Sequence, residues 1–119
     1  MPSSLEHVLL LFIDGLGIGQ QHESNPCTLS PYFFNHFLHE SFPKTLEPFG
    51  YALGLDANLG VDGLPQSATG QTALLTGANA SQLLGRHLQG FPNAKLRQVI
   101  SEYSILKWFA DRGYKSAFL

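Results

Sequence analysis

The stretch His7-Val-Leu-Leu-Leu-Phe-Ile13 is apolar from Val8 onward and stops on Asp14-Gly-Leu-Gly-Ile-Gly19. A run of this length without polar alternation reads as a strand buried on both faces, the habit of strands in parallel sheets. Asp14 interrupts the run before it reaches membrane-spanning length. No basic leader or small-residue cleavage pattern accompanies it, so neither a signal peptide nor a transmembrane helix is expected.

Downstream, Gln20 to Thr28 is polar and holds Asn25-Pro26, a loop signature, and Ser30-Pro31 then offers an N-cap and a first-turn proline for a helix over Pro31 to Glu40. From Ser41 to Leu64, prolines and glycines favour short strands and turns. A helix is predicted from Ala68 to Thr76, with Ser67 at its start and Gly77 as its C-cap. A loop carrying Gly85, Gly90 and Pro92 leads to a helix over Ala94 to Ile100. A second helix follows, closed by Gly113, with Ile105, Leu106, Trp108 and Phe109 as its apolar stripe and Lys107, Asp111 and Arg112 facing elsewhere. Tyr114 to Leu119 reads as the opening of another strand. Strand, helices and strand again imply a right-handed crossover and an α/β fold: a parallel sheet with flanking helices, incomplete at the C-terminus.

Composition narrows the function. The 119 residues, 44% hydrophobic, fit one domain, and the 13% of charged residues is well below the roughly 25% of an average soluble protein. A net charge of -2 without a basic cluster argues against nucleic acid and against an anionic membrane. The single cysteine, Cys27, has no partner for a disulfide or a zinc motif, which fits a reducing, cytoplasmic location.

Two segments carry candidate chemistry. Asp14 directly follows the first predicted strand, at the carboxyl end of the expected sheet, where α/β proteins bind ligands, and Gly15, Gly17 and Gly19 leave room beside it. It reads equally well as a turn cap. The second segment, Gly63-Leu-Pro-Gln-Ser-Ala-Thr-Gly-Gln-Thr-Ala-Leu-Leu-Thr-Gly77, puts Ser67 at a helix N-terminus, whose partial positive charge favours phosphate and a serine alkoxide. Serine needs activation, and without a Gly-x-Ser-x-Gly elbow a divalent cation suits Ser67 better than a triad. The structural alternative is that Ser67 or Thr69 only caps the helix.

Together, Leu11-Phe-Ile-Asp-Gly-Leu-Gly-Ile-Gly19 and Pro65-Gln-Ser-Ala-Thr-Gly-Gln-Thr-Ala-Leu-Leu-Thr-Gly77 resemble the alkaline phosphatase superfamily. The likeness is to its cofactor-independent phosphoglycerate mutase-like and phosphopentomutase-like branch, and it extends more loosely through Gly85-Arg-His-Leu-Gln-Gly-Phe-Pro92. The resemblance implies that Asp14 is a metal ligand. It also implies that Ser67 is both nucleophile and metal ligand. Two divalent ions (Zn, Mn or Mg) and a phosphate-ester small molecule would be the cofactors and substrate, with a covalent phosphoserine as intermediate. The chain matches the first part of such a domain. Further Asp and His ligands would come from a missing C-terminal portion or another chain, and the 119 residues alone are expected to have little activity. The sulfatase pattern Ser/Cys-x-Pro-x-Arg is absent at Ser67.

Other residues carry weaker signals. His87 and Arg86 lie in a glycine-rich loop where either could meet a phosphate, although an ordinary hydrogen bond is the plainer role for His87. His36 and His39 share a face of the first predicted helix without an evident third ligand, His7 and His22 have no distinguishing context, and Asp56 and Asp62 read as turn residues. Two other functions stay open: a nucleotide-binding module built on Gly15-x-Gly17, where Gln20 replaces the expected third glycine, and a non-catalytic, truncated remnant.

Overall fold

The computed structural model describes residues 7–29, 37–38, 42–48 and 50–118. They fall into two compact units, Met1–Gly54 and Leu55–Leu119.

In the first unit the apolar stretch from Val8 to Ile13 is irregular and exposed. A strand buried on both faces needs a ladder partner on each side, and among the described residues none pairs with it. Asp14 and Gly15 form a turn, with Gly15 in the left-handed region at φ 75°. Gly19 makes an isolated parallel bridge to Leu38, its N–H donating to the Phe37 carbonyl at 3.0 Å. A Cβ there would come within 2.7 Å of the Asn25 side-chain amide, which would have to shift. Asn25 organises the following loop: its side chain donates to the Gln20 carbonyl and accepts from the Cys27 N–H, launching a 3-10 turn over Pro26–Leu29. The helix expected over Pro31 to Glu40 lies almost wholly outside the described residues.

The sheet found is a hairpin of β1 (Lys44–Leu46) and β2 (Gly50–Ala52), antiparallel, with Thr45 opposite Tyr51. It lies in the proline- and glycine-rich region where short strands were expected. The parallel α/β sheet is therefore corrected: neither Val8 to Ile13 nor Tyr114 to Phe118 forms a strand, and the described strands are antiparallel.

The second unit is helical: α1 (Ser67–Thr76), α2 (Ala80–Leu84), α3 (Ala94–Tyr103) and α4 (Ile105–Ala110). Ala68, Ala80 and Leu96 are its buried apolar centre, with Ala73, Leu84 and Leu88 packed around them. Small residues on α1 let the helices approach closely, and the buried Thr72 satisfies its hydroxyl by donating to the Ala68 carbonyl at 2.7 Å. Polar caps mark the boundaries. Asn79, Asn93 and Ser104 accept from the Gln82, Leu96 and Lys107 N–H groups, and Gly77 and Gly85 end α1 and α2 in the left-handed conformation. Past α4, Gly113 at φ 81° lets the Tyr114 N–H reach the Phe109 carbonyl. Lys107 pairs with Asp111 one turn on, but Arg112 does not face away from the apolar stripe as expected. Its guanidinium stacks 3.7 Å from the Trp108 ring centroid and donates to the Trp108 carbonyl. Among the described residues no helix is long and apolar enough to cross a membrane.

Candidate functional site

Ser67 is the first residue of α1, half-buried at the helix entrance. The N-cap is the preceding residue, Gln66, extended at φ -131° and ψ 153° and without a side-chain capping bond. Neither Ser67 nor Thr69 is thus the cap, which removes the plainest structural role foreseen for them. Along this helix Thr69, Thr72 and Thr76 donate to the Gln66, Ala68 and Thr72 carbonyls. Gly70 has open space where a side chain would stand.

The segment after α2 is clasped to this helix end through both backbone groups of Leu88. Its carbonyl accepts from the Ala68 N–H at 3.1 Å, and its N–H donates to the Thr69 hydroxyl at 3.3 Å. One first-turn amide, that of Ala68, is therefore committed to protein rather than available to an anion. Next to the clasp, the His87 Nε2 donates to the Val61 carbonyl at 3.0 Å, the ordinary role expected of it. The Arg86 N–H donates to the Ser81 carbonyl, while its side chain is exposed.

Asp14 stands exposed in the Asp14–Gly15 turn of the first unit. Beyond it, Gly15, Gly17, Gly19, His22, Ser24 and Asn25 line an open depression of about 620 Å³, in which the His22 Nδ1 and the Ser24 hydroxyl lie 2.8 Å apart. Asp14 and Ser67 belong to different units, and each is defined within its own. Among the described residues no three His, Cys, Asp or Glu side chains gather to hold a metal ion. A catalytic zinc commonly takes three protein ligands, so the described residues do not by themselves fit a two-metal centre. His36 and His39 lie outside the described residues. Asp56 is the turn residue expected, its carboxylate accepting from the Asn58 N–H at 2.9 Å. After Gly15 and Gly17 the described chain runs into turns and the Pro26–Leu29 3-10 segment, so the helix N-terminus of a dinucleotide site is missing there.

No family model, curated protein or solved structure matches the chain. The superfamily resemblance therefore rests on the two quoted motifs alone. Sequence reasoning missed α2 and the Leu88 clasp. The first had a legible signal, Asn79 as N-cap and Gly85 as C-cap around Ala80-Ser-Gln-Leu-Leu84. The second had none, because Leu88 enters it through its backbone groups.

Proposed function

We propose that this chain carries the nucleophile segment of a metal-dependent centre for phosphoryl transfer or phosphate-ester hydrolysis, with Ser67 as nucleophile and Asp14 as one metal ligand. The observation supporting this most is the position of Ser67. It opens a three-turn helix, one residue inside the cap and one turn ahead of Gly70. At that position the helix dipole favours a developing alkoxide and the charge of a bound phosphate.

The Ser67 Oγ attacks phosphorus and loses its proton, the bond from phosphorus to the leaving oxygen breaks, and the departing alcohol takes up a proton. The phosphoserine then passes its phosphoryl group to water, releasing inorganic phosphate, or to an acceptor hydroxyl. The metals of the resemblance, Ser67 included among their ligands, would need donors beyond those that the described residues bring together. Cytoplasmic residence accords with the lone Cys27.

The test is acid-quenched incubation of the chain, together with the polypeptide that supplies the remaining metal ligands, with an aryl phosphate and added Zn, Mn or Mg, followed by peptide mass spectrometry. Phosphate should appear on Ser67, and Ser67→Ala should remove it and lower turnover by at least about a thousandfold. Unchanged phosphorylation or turnover in Ser67→Ala would exclude the reading. One observation favours a second reading, in which the start of α1 is only a packing element: the Ala68 N–H is already held by the Leu88 carbonyl. Under it no phosphate accumulates, and Ser67→Ala is neutral.

A further inference from the structure

His22 and Ser24 meet in the glycine-lined depression of the first unit, and their contacts fix where the protons lie. The Ser24 backbone N–H can only donate, and it donates to the His22 Nδ1 at 3.2 Å. That nitrogen therefore carries the lone pair of the neutral ring, and the ring proton is on Nε2. The Ser24 hydroxyl, 2.8 Å from the same Nδ1, is then the donor of their hydrogen bond. A hydroxyl aimed at an unprotonated imidazole nitrogen at this distance is the arrangement by which histidine activates serine as a nucleophile. Asn25 braces the loop that holds the pair: its N–H donates to the His22 carbonyl and its side-chain amide to the Gln20 carbonyl, both at 2.9 Å. Both partners are exposed, so a ligand reaches the hydroxyl. Beside them, a Cβ at Gly15 or Gly17 would meet nothing within 4 Å, and Ile18 and Pro26 add apolar surface.

We propose that His22 and Ser24 form a second nucleophilic centre, which takes the acyl group of a small uncharged aryl ester onto Ser24 and passes it to water. The lining of the depression, glycines with Ile18, Gln20, Asn25 and Pro26 around the pair, suits an uncharged ester. The Ser24 Oγ attacks the acyl carbon while its proton passes to the His22 Nδ1. The bond from that carbon to the phenol oxygen breaks, and the phenolate takes the proton from His22. Water then attacks the acyl-serine with His22 as base, which releases the carboxylic acid and restores the hydroxyl. This centre is independent of the function proposed for Ser67, which lies in the other unit.

Reaction of the full chain with an alkyl fluorophosphonate, followed by peptide mass spectrometry, tests it, because loss of fluoride leaves a stable adduct on an activated serine. The adduct should form on Ser24 and not on Ser101, a likewise exposed serine whose hydroxyl donates to the Gln98 carbonyl. His22→Gln should slow labelling of Ser24 by about a hundredfold. With para-nitrophenyl acetate, Ser24→Ala should lower hydrolysis by at least about tenfold, and Ser101→Ala should leave it unchanged. The site of the wild-type adduct decides without any variant. A wild-type chain that takes no adduct on Ser24, takes it on His22 instead, or takes as much on Ser101 overturns the proposal. So does His22→Gln labelled at the wild-type rate, since His22 and Ser24 then form only a turn.

Discussion

Thr69 is only 1% exposed, and its hydroxyl both donates to the Gln66 carbonyl and accepts from the Leu88 N–H. Removing the hydroxyl while keeping the shape leaves the part-buried Leu88 amide without its acceptor, the costly side of hydrogen-bond energetics, while the Gln66 carbonyl keeps the Gly70 N–H. Thr69→Val is therefore expected to lower stability by about 1–3 kcal/mol in urea unfolding and to speed hydrogen exchange at the Leu88 amide, whereas Thr69→Ser retains both bonds and most of the stability. Ser67 and Thr69 looked alike in the sequence as hydroxyls at a helix start, and either was read as a cap. Their difference is one of burial, which depends on what packs against the turn, and nothing in the local pattern reports that Leu88 returns to this place. Elsewhere a local charge acts: hydrogen bonding to Glu102 raises the Tyr103 phenol above its ordinary pKa, at an exposed position away from Ser67.

At the level of elements, α1, α3 and α4 of the second unit were legible in the sequence, whereas α2 was missed although its ends are also written in capping residues. The α1 limits, with Ser67 first and Gly77 after the end, follow from the left-handed preference of glycine, and α3 and α4 follow from Asn93, Ser104 and Gly113. The strands expected over Val8 to Ile13 and from Tyr114 onward failed for the opposite reason. An apolar run specifies that a segment should be buried without specifying by what, and Val8 to Ile13 meets no partner strand among the described residues. Asn79 joins two elements, capping α2 through the Gln82 N–H and donating to the Leu59 carbonyl across a loop at 2.8 Å. Asn79→Ala removes both bonds, and an expected loss of about 1–2 kcal/mol can be read from the shift in urea midpoint at constant slope. Asn79→Asp, which keeps the cap and loses the donor, should fall between.

At the level of the molecule, among the described residues Leu96 is the one large apolar side chain wholly enclosed at the centre of the second unit, beside the buried Ala68 and Ala80 and the partly buried Ala73, Leu84 and Leu88. Leu96→Ala should cost about 2–5 kcal/mol, comparable with the stability such a small core can supply. The amide resonances of residues 55–118 are expected to collapse into the narrow range of an unfolded chain in a nitrogen-correlated spectrum, and persistence of their dispersion would show that other contacts hold the unit. The Asn79 contacts also bear on where the protein can be made. Asn79-Ala80-Ser81 spells the acceptor tripeptide for N-linked glycan, yet the amide nitrogen that would carry the sugar is the one bonded to the Leu59 carbonyl. Sugar attachment replaces one of the two hydrogens on this nitrogen and sets a bulky group beside the Leu59 contact. In a secretory host, the chains that acquire a glycan there would be those that had not yet folded, and the sugar would crowd the loop at that contact.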